Sequence, residues 1–152
     1  MREATGQVGL MNIMLFVIGI IIILLAGSIA YSKAFRVKNK IIDIIEKHNT
    51  YDSGARDEIT STLTGLGYRT ASRNDYTKNC KDKISGYTLV TNAYPNHLYC
   101  VYKADNSTSK KYYYKVVAYM YFDLPVIGAY VKIPVSGETK VLYADDDWKT
   151  VN

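Results

Sequence analysis

Histidine and cysteine are scarce in this chain of 152 residues, with two of each. Two cysteines cannot build a four-thiolate zinc site, and Cys80 and Cys100 stand too far apart for CxxC redox chemistry. His48 closes an apolar helical stripe, a position the helix dipole favours, and His97 follows Pro95 and Asn96 in a turn. No GxSxG, HExxH, P-loop or EF-hand pattern occurs. Asp145, Asp146 and Asp147 are consecutive, so a strand cannot aim all three at one ion, and they read as a solvated acidic tail. These absences leave no constellation for nucleophilic, metal or phosphate chemistry. The chain is expected to be non-catalytic and to use no cofactor. After residue 48 there are thirteen Lys and Arg against eleven Asp and Glu, with no basic stripe. No nucleic-acid partner is therefore expected; Lys110 and Lys111, beside a tyrosine run, make too small a patch to track a strand.

Charge is missing altogether from Leu10 to Tyr31, where Asn12 is the only strongly polar residue. At about 1.5 Å per residue this run matches the roughly 30 Å hydrocarbon core of a bilayer. Lys33, Arg36, Lys38 and Lys40 follow immediately, and such a cluster is attracted to anionic headgroups. Membrane lipid is the first expected partner. Beyond the run, Ala34, Val37, Ile41, Ile44 or Ile45, and His48 recur at three- and four-residue steps. That spacing predicts a continuing helix whose apolar stripe packs on a following sheet. Asp43 and Lys47 make a favourable pair on its polar side. A coiled-coil partner is the other reading of the stripe, but the repeat lasts barely two heptads.

Three readings compete for the N-terminus. Ser28-Ile29-Ala30 offers the small-x-small site of a cleaved signal peptide, although the apolar core is longer than such peptides carry. A plain signal anchor is the second. In the third, a short polar leader, MREATG, is removed between Gly6 and Gln7 and the apolar helix is kept. Gly19, Ala26, Gly27, Ser28 and Ala30 would then let helices approach closely in lipid. The basic flank after the run favours a cytoplasmic head. A disulfide between Cys80 and Cys100 and the tyrosine-rich sheet favour an extracytoplasmic one, and that topology is adopted, with the N-terminus cytoplasmic. Such a bond would close a 20-residue span and stabilise the head by about 3 kcal/mol on the chain-entropy model; the competing reading is a pair of buried, reduced thiols.

In the head, Asp52 or Ser53 is placed to cap a short helix, ARDEITSTLTGL, ended by Gly65 or Gly67. Residues 69–85 lack periodicity and read mostly as loop. YTLVTN (87–92) and LYCVYK (98–103) read as strands around a turn at 93–97. Tyr112 to Phe122 is apolar on both faces, which marks a central strand broken by Asp123-Leu124-Pro125. YVKIPV and ETKVLY read as a terminal hairpin about Ser136-Gly137, with Pro134 at a sheet edge. Fourteen of the fifteen tyrosines lie beyond residue 50. A tyrosine ring buries apolar area while its hydroxyl stays polar, which suits sheet faces and contact surfaces alike. Tyr112, Tyr113, Tyr114, Tyr119 and Tyr121 are thus either a half-exposed sheet face or a candidate interaction surface.

Two stretches, GQVGLMNIMLFVIGIIIILLAGSIAYSKAFRVKNKIIDII and YKVVAYMYFDLPVIGAYVKIPVSGETKV, resemble the TadE-like minor pilins, or pseudopilins, of the bacterial tight-adherence (Tad/Flp) pilus and secretion apparatus. They cover under half the chain. The resemblance implies removal of the leader after Gly6 by a prepilin peptidase, and partnership with other pilin-like subunits and pilus assembly proteins at the cell surface. One position departs from it: the fifth residue after the leader, where pilin-like sites carry glutamate, is Met11. The expected architecture is α+β and pilin-like. A leader occupies 1–6, a transmembrane and amphipathic helix 7–48, and an extracytoplasmic head 49–152, in which a small antiparallel sheet packs on that helix beside one short extra helix.

Overall fold

The computed structural model describes residues 2–91, 96–108, 110–124 and 129–143. The turn residues 93–95, the Leu-Pro connection at 125–128 and the acidic tail at 145–147 lie outside them. α1 (Arg2–His48) is one continuous helix, about 70 Å long at the standard rise. Its halves meet different surroundings. Among the described residues nothing covers the apolar part of the first, from Gly9 on, where Leu24 is 67 % and Ile29 72 % exposed, and by length and composition it can cross a membrane. In the second, Ala34, Val37, Ile41, Ile44 and Ile45 are buried against the head's own sheet and α2, as the spacing predicts. The helix stops at Asn49, whose φ of 55° is left-handed, a conformation asparagine tolerates better than most residues. Asn49 also ties the helix end down: its side-chain amide donates to the Tyr143 carbonyl and its own carbonyl accepts from the Tyr112 hydroxyl.

α2 (Ser53–Gly65) starts at Asp52, whose carboxylate accepts the Ala55 N–H at 2.8 Å. Ala55, Ile59 and Leu63 form its buried face. Glu58 on its outer side takes Lys47 at 2.8 Å and His48 at 2.7 Å, joining α2 to the last turn of α1. Those two hydrogen bonds, Lys47's first, hold the Glu58 carboxyl below the usual carboxylate range. A third helix, α3 (Arg73–Asn79), occupies part of the stretch the sequence reading assigns to loop. Only Tyr76 on it is buried, so there is no apolar period to detect. Its start is defined instead by Ser72, whose hydroxyl accepts the Asp75 N–H at 3.2 Å. Among the described residues the head therefore has two extra helices, not one.

Among the described residues seven strands follow: β1 (Lys83–Ile84), β2 (Tyr87–Leu89), β3 (Tyr99–Ala104), β4 (Lys111–Tyr112), β5 (Tyr114–Leu124), β6 (Ala129–Glu138) and β7 (Leu142–Tyr143). Five make an antiparallel sheet in the order β1-β2-β3-β5-β6, while β4 and β7 pair separately. β5 is interior and covered on both faces. Tyr114, Val116, Ala118 and Met120 join the clusters that contain the α1 stripe. Val117 and Tyr119 join Tyr76, Leu98 and Cys100 on the other side.

The terminal hairpin about Ser136-Gly137 is corrected by the structure. β6 runs straight through both residues, pairing with β5 from Ala129 to Glu138, and β7 pairs with β4. The glycine serves close approach instead of a turn. A Cβ at Gly137 would sit 2.8 Å from Lys38 Cδ and 3.0 Å from Ile42 Cδ1 on α1. β6 is an edge strand, which accommodates Pro134.

Candidate functional site

The five tyrosines singled out in the sequence do not form one surface. Tyr114 is 6 % and Tyr119 7 % exposed, on opposite faces of β5, and Tyr112, Tyr113 and Tyr121 are half-buried. Alternation along the strand separates them. Several of the head's tyrosines instead bond a distant segment through the hydroxyl. Tyr76 donates to the Thr91 carbonyl at 2.9 Å, Tyr119 to the Asn79 carbonyl at 3.0 Å, and Tyr87 to the Glu138 carboxylate at 2.6 Å. Tyr51 and Tyr99 pair hydroxyl to hydroxyl at 3.3 Å.

Tyr68, which no sequence signal marks, holds the most central position. It sits just after α2 and the left-handed Gly67, and its hydroxyl accepts the Tyr119 N–H at 2.9 Å. The same oxygen lies 3.0 Å from the Leu98 carbonyl and 2.9 Å from the Tyr119 carbonyl, to one of which it donates. The β3–β5 register ends at Tyr99↔Ala118, so this hydroxyl takes the place of the next rung. Tyr68→Phe leaves buried backbone groups unpaired and is expected to lower stability by about 1–3 kcal/mol, read as a lower urea midpoint with an unchanged slope.

Burial raises the phenol pKa of Tyr51, Tyr68, Tyr99 and Tyr102, and pushes Tyr119 up to about 12. Folded-state values above the unfolded value of 10.0 give stability that is complete below that pH. It is lost as pH rises through the folded values. Spectrophotometric titration should therefore show these phenols ionising late and together with unfolding. Simple independent titration of every tyrosine near the unfolded value would contradict this.

The remaining sequence candidates lie apart. Gly6 and Gln7 are in the first turns of α1. Cys80 and Cys100 form a disulfide with a Cα–Cα distance of 5.6 Å, linking the end of α3 to β3. His48 is committed to Glu58. His97 is buried between Thr64 Oγ1, at 3.2 Å, and the Arg69 carbonyl, at 3.4 Å. Among the described residues no three His, Cys, Asp or Glu side chains converge on a possible metal position.

The surface with the clearest chemical polarity is the base of the head, where α1 emerges. Tyr31 and Phe35 stack there at 6.4 Å, and the Lys38 ammonium lies 4.1 Å over the Phe35 ring. Aromatic and cationic residues in this combination suit the boundary between hydrocarbon and headgroups. Lys33 reaches from the helix to the Gly67 carbonyl at 2.8 Å, anchoring the turn after α2 at that level. Leu66 beside it is 41 % exposed. No family model, curated protein or solved structure matches this chain.

Proposed function

We propose that this protein is a membrane-anchored, non-catalytic minor pilin or pseudopilin that helps assemble a Tad-like pilus or secretion apparatus. One observation carries the reading: a single helix is bare and apolar for its first half and forms the spine of the head in its second. Such a subunit waits in the bilayer through its apolar half and then bundles that half with other pilin-like subunits. The head sits extracytoplasmically, where the Cys80–Cys100 bond is chemically at home. Partners on this reading are membrane lipid, neighbouring pilin-like subunits, assembly proteins and a prepilin peptidase acting between Gly6 and Gln7.

Met11 in place of a glutamate favours a second reading, a tethered ectodomain for binding or sensing that never polymerises. Cross-linking in native membranes separates the two. Ile22→Cys lies on the bare half of α1, and Lys40→Cys on its exposed side beyond the membrane. A bundling subunit should give an oxidised homodimer through Ile22→Cys, or an adduct with a pilin-like neighbour that carries its own cysteine introduced at the facing position. A chain that stays monomeric at Ile22→Cys across the expression range is a tether.

A further inference from the structure

The base of the head contains a groove of about 560 Å³ between α1 and the turn after α2. Ser28, Ile29, Ser32, Lys33 and Arg36 line it from the helix, and Leu66 from the turn. Ser28, Ser32 and Arg36 recur at four-residue steps, so they form one row on the helix. The wall places Ile29 on the side of the apolar run and Lys33 and Arg36, with Val37 beside them, a turn or two further along α1, and no acidic side chain among the described residues lines it. Lys33 is held in position by the Gly67 carbonyl, with two ammonium protons to spare. Arg36 is exposed and has no ion-pair partner among the described residues.

The level of the groove follows from how the sheet lies on the helix. Lys140 N–H bonds Glu46, Gly137 meets Lys38 and Ile42, and Val135 packs with Ala34. β6 thus lies alongside α1 as far as Ala34, three residues past the end of the apolar run. With about 20 residues spanning the hydrocarbon, Ser32 to Arg36 fall among the headgroups.

We infer that this groove holds an anionic phospholipid, its phosphate on Arg36 and Lys33 and the start of its acyl chains along Ile29 and Leu66. The inference rests on α1 being the membrane anchor. Charge complementarity and direct continuity with the bilayer select a lipid, and two cations on one wall select an anionic one. A lipid seated there fixes the tilt of the head against the membrane.

The test uses the full chain in nanodiscs of phosphatidylcholine mixed with phosphatidylglycerol, with retained lipid read by native mass spectrometry. Phosphatidylglycerol should be enriched on the protein. Arg36→Gln should cut that enrichment about fivefold, whereas Lys40→Gln, which removes the same charge from the headgroup-facing cluster but not from the groove lining, should cut it clearly less. Equal losses for both variants would reduce the effect to a diffuse field and overturn the site, as would no enrichment at all. The anchor is checked separately with Leu24→Trp in a Trp148→Phe background and bromine-labelled acyl chains. Quenching there without phosphatidylglycerol enrichment overturns the groove alone; absence of quenching overturns the anchor and the groove together.

Discussion

Replacing both cysteines, Cys80→Ala with Cys100→Ala, should lower the unfolding free energy of the head by about 2–5 kcal/mol. The bond closes a 20-residue separation that contains β1, β2 and the segment joining β2 to β3. Without it the unfolded chain regains the freedom of that loop. Cys80 and Cys100 are also 4 % and 0 % exposed and belong to the cluster that covers the outer face of β5. Alanine keeps that site apolar, so the loss measures the cross-link more than the packing. Urea unfolding of the full chain in detergent, followed by near-ultraviolet circular dichroism, reads the change. Chemical reduction of the unaltered protein should reproduce it, and an unchanged midpoint in both experiments would contradict it.

The second large effect is at the joint between helix and head. Ile41 is fully buried in the cluster that contains Ile45, Ile59, Leu63, Val101 and Val116. Ile41→Ala should cost about 2–5 kcal/mol through lost burial and the cavity left behind. Ile41→Asp places a carboxylate among the apolar side chains of that cluster, and should unfold the head outright. Lys40→Asp, one residue away on the exposed side, should leave the fold intact. Protease resistance of the head in membranes distinguishes these outcomes. Equal resistance of Ile41→Asp and Lys40→Asp would mean that the second half of α1 is not part of the core.

How far the sequence reached depended on whether a pattern was local. The α1 stripe and the two-faced β5 were legible because each repeats its period over several turns or residues, and burial followed the period. α3 was not, since one inward residue, Tyr76, makes no period and its cap is a lone serine. Gly137 was misread because Ser-Gly looks the same in a turn and in a strand pressed against a helix; only Lys38 and Ile42, far away in sequence, distinguish them. The tyrosine run advertised rings and hydroxyls but not their acceptors. Tyr68 meets Tyr119 across a separation of 51 residues, a pairing no local window contains. At the base of the head, Lys33 and Arg36 were conspicuous in the sequence, whereas Leu66 joins them only through the fold.

The most direct measurement is intact mass with N-terminal sequencing of the protein taken from its native membrane under non-reducing conditions. A pilin-type subunit with an extracytoplasmic head should begin at Gln7 and be two hydrogens lighter than its dithiol form. A chain that begins at Met1 with Cys80 and Cys100 both free would contradict the processing and the topology at once.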